Sequence, residues 1–274
     1  MVHAGLPIAS RFMSLIRPPS ALKVPARIAA VFWALKLLTT ALGESTSDYL
    51  VHNVNPYFAV IAGFIVFVVA MVLQLRTDRY VPWVYWLAVA MVAVFGTMTA
   101  DALHVEFRVP YVASSILFAC LLVAVFWAWS RSEPTLSIHS ITTPRRELFY
   151  WAAVVATFAM GTAVGDLTAV TFGLGYLASG LLFAAVIAVP AIGYWRLGWN
   201  PILCFWIAYV ATRPLGASFA DWMGKPQAAG GLGWGDGTVA LILTGAIIGL
   251  VAYLTVTRRD VQPAGAPAYG AAQL

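Results

Sequence analysis

Apolar residues fall into eight long blocks along the chain, each of 19 or more residues and each bounded by charge, proline or glycine. The blocks run Arg27–Leu50, Tyr57–Leu75, Trp83–Leu103, Tyr111–Trp129, Leu148–Thr168, Tyr176–Tyr194, Pro201–Trp222 and Thr238–Val256. A bilayer core of about 30 Å takes about 20 residues of helix. The pattern therefore predicts an all-α, polytopic membrane protein with eight transmembrane helices. The break between the fifth and sixth blocks carries no charge, because none stands between Asp166 and Arg196. Gly173-Leu174-Gly175 is the turn signal there, since one helix of about 40 residues does not fit a bilayer.

Composition agrees. Of 274 residues, 61% are hydrophobic and 10% charged, where a soluble domain carries about 25% charged residues. An ordinary soluble enzyme and a disordered chain are both excluded. The net charge of +5 is explained by its placement, without nucleic acid as a partner. Twelve Lys and Arg lie on the side of the N-terminal segment and two, Arg108 and Lys225, on the other. Lys36 and Arg213 lie inside spans. This bias predicts both termini in the cytoplasm. The division expected is a basic segment 1–26, a four-helix half 27–129, a cytoplasmic loop 130–147, a second half 148–256 and a disordered tail 257–274. Residues 1–25 lack the apolar core of a cleavable signal peptide. Cys120 and Cys204 both sit in apolar blocks, which argues against a stapling disulfide.

An internal repeat carries the most information. Trp33, Gly43 and Asp48 share one spacing with Trp86, Gly96 and Asp101, with Trp151, Gly161 and Asp166, and with Trp206, Gly216 and Asp221. Composition alone gives about 0.02 expected matches to this W-x9-G-x4-D pattern among eleven tryptophans, so chance is excluded. An aromatic residue precedes each Trp (Phe32, Tyr85, Tyr150, Phe205) and a small residue each Asp (Ser47, Ala100, Gly165, Ala220). The motif recurs on every second span. Each unit is thus two helices, and the four units are expected to be parallel, with two-fold or four-fold symmetry about the membrane normal.

The stretch Phe32-Trp33-Ala34-Leu35-Lys36, followed by Thr39-Thr40-Ala41-Leu42-Gly43-Glu44 and Asp48, resembles the first repeat of a bacterial multi-spanning family. That family has four tandem two-helix repeats of unknown function, each with a characteristic tryptophan. Leu174-Gly175-Tyr176-Leu177 resembles it as well, and the likeness covers about Val24–Tyr253. It implies architecture and no activity. Two departures stand out: the family's Thr falls where Ser45 or Thr46 stands, and repeats two and four lack the Lys and Glu of repeat one.

An Asp in a membrane span costs about 2.5–3.5 kcal/mol, so four at equivalent positions need a reason. Trp and Asp lie fifteen residues apart, about 60° round a helix and so on roughly one face. The Asp residues are expected near the extracytoplasmic ends. Asp48, Asp101, Asp166, Asp221 and Glu44 are the candidate cation or proton ligands, against capping or rim-facing roles for each alone. Lys36 and Arg213 are the candidate charge partners, each expected within salt-bridge reach of a motif carboxylate. For Trp33, Trp86, Trp151 and Trp206, packing or interface anchoring is expected. His52 and His104 are candidate ligands of a divalent cation, against a role as solvated rim residues. The small pairs ending at Ser47, Ala100, Gly165 and Ala220, and Gly245 with Gly249, are expected to bring helices close.

Three functions remain open. A transporter or exporter of a small cation, such as Mn²⁺, Mg²⁺ or H⁺, suits oxygen ligands. The alternatives are a proton-coupled carrier of a small organic solute and a non-transport scaffold or sensor subunit. No motif supports an enzyme. No cofactor is implied beyond a divalent cation, and the expected partners are the bilayer, the cation or solute and a second copy of the chain.

Overall fold

A computed structural model describes residues 21–261. Its eight long helices are α1 (Ala30–Asn53), α2 (Pro56–Arg76), α3 (Pro82–Val105), α4 (Tyr111–Ser132), α5 (Pro144–Asp166), α6 (Tyr176–Leu197), α7 (Pro201–Gly224) and α8 (Asp236–Thr257). The described residues contain no strand. Seven helices are long and apolar enough to cross a membrane, and the exception is α1, which carries Lys36, Glu44 and Asp48. Those charges face other helices, for Lys36 and Glu44 are buried. The chain is thus an all-helical, multi-pass membrane protein.

Local sequence starts and stops these helices as expected. Asn55 and Asn200 each accept two backbone N–H bonds ahead of α2 and α7, and each precedes a proline at the first helical position. Thr143 caps α5 with one such bond, from the Arg146 N–H, and also precedes a proline. After Asp166 the helix continues as a π turn over Leu167–Thr171. The expected break follows, with positive φ at Gly173 and Gly175, and α6 begins at Tyr176. Inside α7, Pro214 removes the N–H that would bond Val210.

The motif helices form a closed inner ring: α1 packs on α3, α3 on α5, α5 on α7, and α7 on α1. The other four lie outside, and each packs chiefly on the motif helix of the next repeat: α2 on α3, α4 on α5, α6 on α7, and α8 on α1. Their outer faces are apolar and open, as at Phe58, Ile61, Leu181 and Leu241. In a soluble protein so large an apolar surface would drive association, but in a bilayer it faces lipid.

The motif glycines close the ring. A Cβ added at Gly43 would lie 2.5 Å from the Ala93 Cβ and 2.7 Å from the Ala93 carbonyl carbon. Gly96 faces Phe158, Gly161 faces Arg213, and Gly216 faces Thr40. Thr40, Ala93, Phe158 and Arg213 all stand seven residues after their own motif Trp. One contact is therefore used four times in rotation. Gly245 and Gly249 do not share it, since a Cβ at either would meet nothing within 4 Å. The expectation of close packing there is corrected, because these glycines lie on an open face of α8. Gly43→Ala should destabilise the protein by about 1–3 kcal/mol through overpacking against backbone. Gly249→Ala should be neutral or slightly stabilising. Thermal unfolding in detergent separates the two.

At the Trp end, three segments meet. Residues 21–26 run across the bundle, with Val24 fully buried. Lys23 N–H donates to the Ile141 carbonyl at 3.0 Å, Tyr80 N–H to that of Leu22 at 2.8 Å, and Ala26 N–H to that of Asp260 at 2.8 Å. Lys23 Nζ meets Glu147 at 2.6 Å, and Gln74 Nε2 donates to the same carboxylate at 2.9 Å. The loop 133–143 folds over the same end and buries Ile138 and Ile141. Residues 257–261, expected to be disordered, are ordered instead. Asp260 is buried and its carboxylate accepts from the Tyr80 hydroxyl. Burial pushes the Asp260 carboxyl up, against the opposing pull of that hydrogen bond. The expectations for residues 1–20 and 262–274 lie outside the described residues.

Candidate functional site

Aromatic residues build one end of the ring. Phe32 meets Trp86 at 5.6 Å between centroids, Tyr85 meets Trp151 at 5.6 Å, Tyr150 meets Trp206 at 6.2 Å, and Phe205 meets Trp33 at 5.7 Å. The residue before each Trp thus touches the Trp of the next repeat, and the cycle closes. Trp86, Trp151 and Trp206 are buried and Trp33 is half-buried. Packing is their role here, as expected. The Tyr85 and Tyr150 hydroxyls share a hydrogen bond within this layer.

Next along the axis come the two buried cations. Arg213 is fully buried, and its Nη2 lies 2.8 Å from Glu44 Oε2 and 2.6 Å from Thr162 Oγ1, and also contacts Thr97 Oγ1. Glu44, Thr97 and Thr162 each stand eleven residues after their Trp, in repeats one, two and three. Repeat four has Ala217 at that position. The small residue leaves room on the axis, and the guanidinium of the same repeat reaches the other three positions. The salt bridge expected of Arg213 therefore forms with Glu44, not with a motif Asp.

Lys36 corrects the paired-charge expectation. It is buried and meets no carboxylate, and its Nζ has no hydrogen-bond partner among the described residues. It sits over the rings of Phe158 and Tyr209, at 4.0 Å and 4.3 Å from their centroids. The reason is steric and local. Lys36 lies three residues after its Trp, level with Tyr209 of repeat four and two turns short of the carboxylates. Ring faces attract an ammonium there.

Beyond Arg213 the carboxylates gather. Glu44, Asp166 and Asp221 each offer an oxygen, and these atoms all lie within 4.8 Å of one another. They come from three helices: α1, α5 and α7. The other two candidates stand apart. Asp48 pairs with Lys225, and Asp101 accepts from the Ser47 hydroxyl at 3.4 Å. Lys225 also lies 3.7 Å from Asp221 and 3.7 Å from Asp236. Burial pulls the Lys225 ammonium down, but the Asp48 and Asp221 carboxylates outweigh it and hold it above the ordinary lysine range. His52 and His104 do not join the cluster. Each ring uses Nδ1 on a backbone carbonyl, of Asp48 at 2.7 Å and of Val109 at 2.5 Å, and the His104 ring lies tilted against Tyr111.

The model of a family described as a "Repeat of Unknown Function (DUF347)" matches residues 31–80, 84–135, 149–198 and 204–260. The chain belongs to that family. Each match opens within the first turns of a motif helix and takes in the outer helix that follows, so the two-helix unit is the repeat. No curated protein and no solved structure matches the chain.

Several residues of the site escaped the sequence reading. Thr97 and Thr162 share the offset of Glu44 from the motif Trp, so setting the four repeats under one another finds them. Lys225 stands four residues after Asp221, which places it near that carboxylate but not near Asp48. Its link to Asp48 depends on the ring closing between α7 and α1.

Proposed function

We propose that this protein carries a small cation, such as Mn²⁺ or Mg²⁺ or the proton itself, across the bacterial cytoplasmic membrane. In this reading all eight helices span the bilayer, the four repeats run parallel about one axis, and both termini are cytoplasmic. The rotation of equivalent contacts round the ring and the twelve-to-two bias of basic residues support that arrangement.

The observation that carries the reading is the meeting of Glu44, Asp166 and Asp221. Six carboxylates, with Asp48, Asp101 and Asp236, share this end of the ring with two cations, Arg213 and Lys225. Formal negative charge is left over. Like charges this close in low dielectric do not all stay ionised unless a cation or protons join them. Three oxygens within 4.8 Å of each other suit a single hard ion, with the remaining positions left for water or cargo-specific ligands. An organic solute is less well served, because the aromatic rings at the other end are spent on one another. Arg213 and the aromatic layer fill the axis below the carboxylates. The arrangement suits a carrier closed on the Trp side, working as a transporter and not as a catalyst.

Asp166→Asn and Asp221→Asn test this. Neither carboxylate makes a hydrogen bond among the described residues, so the amides keep the shape and remove the charge. In proteoliposomes of the full chain, each variant should cut Mn²⁺ uptake about tenfold or more, while Glu133→Gln at the other end leaves it unchanged. Equal uptake by wild type and both Asn variants, with normal folding, would favour the scaffold reading instead.

A further inference from the structure

Below Arg213 lies a set of buried polar atoms that the cation site does not use. Lys36 Nζ on α1, Thr157 Oγ1 on α5 and Arg213 Nε on α7 are all buried without a hydrogen-bond partner among the described residues. So is the indole nitrogen of Trp151 on α5. They are contiguous through their rings. Lys36 lies on Phe158 and Tyr209, Arg213 on Phe158, Tyr209 on Trp206, and Trp151 on Tyr85 and Tyr150. Three helices of the inner ring, α1, α5 and α7, contribute to it. Buried polar groups almost always have partners, and orphans gathered in one place point to water or to a changing proton count.

Lys36 is the most telling member. A permanent ammonium in the middle of a membrane protein is normally matched by a carboxylate. Here the nearest acidic group along its own helix, Glu44, is already taken by Arg213. Arg213 is the neighbouring charge, for both cations lie over the ring of Phe158. The other ionisable groups around it are hydroxyls: Tyr209 beneath it, and Tyr85 and Tyr150 in the next layer. The position is unmatched in the other repeats, where Val89, Val154 and Tyr209 stand at the same offset. A lysine with no counter-ion, facing rings and hydroxyls, is free to lose and regain a proton without breaking an ion pair.

We propose that Lys36 is a proton-binding site of the transport cycle, separate from the cation ligands. The inference rests on the cation reading above. A cation bound among Glu44, Asp166 and Asp221 adds positive charge on the axis above Arg213 and drives the Lys36 ammonium to release its proton. The N–H bond breaks, the electron pair stays on Nζ, and the proton leaves toward the Trp end through the Tyr209 and Tyr150–Tyr85 hydroxyls and intervening water. When the cation leaves, the amine takes a proton back. Cation and proton thus exchange one for the other.

The chain has three lysines, Lys23, Lys36 and Lys225, so ¹⁵Nζ-lysine NMR of the full protein in detergent gives a spectrum of three signals. Lys36→Met identifies the one in question. The expected result is a Lys36 signal that passes between ammonium and amine forms as pH is varied, and that moves toward the amine form when Mg²⁺ is added. ¹³C carboxyl signals of Asp and Glu report separately whether Mg²⁺ binds. A Lys36 signal that keeps one protonation state over the whole stable pH range overturns the proposal, even where the carboxyl signals respond to Mg²⁺. So does a Lys36 signal that titrates but ignores Mg²⁺ while the carboxyl signals respond. Carboxyl signals that never respond to Mg²⁺ sink the divalent-cation reading and leave titration of Lys36 to be judged by itself. Lys36→Arg, with its fixed charge, should fold and should lower Mn²⁺-driven proton release by about one proton per bound Mn²⁺, as read by a pH dye. Unchanged release in that variant also overturns the proposal.

Discussion

Arg213→Met should cost the protein about 3–5 kcal/mol of stability, the typical loss when one partner of a buried ion pair is removed. Glu44 is then left 3% exposed with its counter-ion gone. Thr97 and Thr162 lose the donor they share, at positions that are also buried. Arg213→Lys should recover only part of the loss, because a lysine ammonium lacks the planar reach to a carboxylate and two hydroxyls at once. The double variant Arg213→Met with Glu44→Gln should recover more than Arg213→Lys does, since the buried charge is then absent. Thermal unfolding of the purified proteins gives the order. A single Arg213→Met variant within about 1 kcal/mol of wild type would mean that the axis is wet enough to solvate Glu44.

Lys23→Met should have an effect of similar size at the opposite end. Glu147 is fully buried, and its counter-ion reaches it from a segment outside the helices. Removing the ammonium leaves the carboxylate with the Gln74 amide as its remaining donor. The expected cost is about 3–5 kcal/mol, and pairing the change with Glu147→Gln should restore most of it. Limited proteolysis offers an independent reading. Once the ammonium is gone, cleavage near residues 21–26 should quicken before global unfolding does. If cleavage there is unchanged, the backbone bonds to Ile141, Tyr80 and Asp260 hold the segment without the ion pair.

Much of the architecture could be read from the sequence because two signals coincide there. The apolar blocks locate the helices, and the W-x9-G-x4-D repeat says which four are equivalent. Even the uncharged turn at Gly173–Gly175 was legible, since positive φ favours glycine. The site was legible only in part. A helical period shows which face a residue occupies but not what stands opposite. Asp48 and Asp166 are equivalent in sequence, yet one meets Lys225 and the other joins Glu44 and Asp221. That difference arises where the ring closes, because Lys225 caps the end of α7 and α7 packs on α1 beside Asp48. Lys36 illustrates the same limit. An expectation of pairing follows from the cost of a buried charge, but the helix places the residue among rings instead. Gly245 and Gly249 repeat a small-residue spacing on a face that no helix approaches.

If Glu44, Asp166 and Asp221 hold one cation between them, direct binding shows it without any assumption about transport. Purified full-length protein is titrated with Mn²⁺, and the free ion is followed by its electron paramagnetic resonance signal. One Mn²⁺ should bind per chain. Asp166→Asn with Asp221→Asn should abolish that binding, and Asp101→Asn should weaken it less than either change alone. Binding by the doubly substituted protein at the wild-type level, or no binding by wild type at any Mn²⁺ concentration it tolerates, would contradict the account.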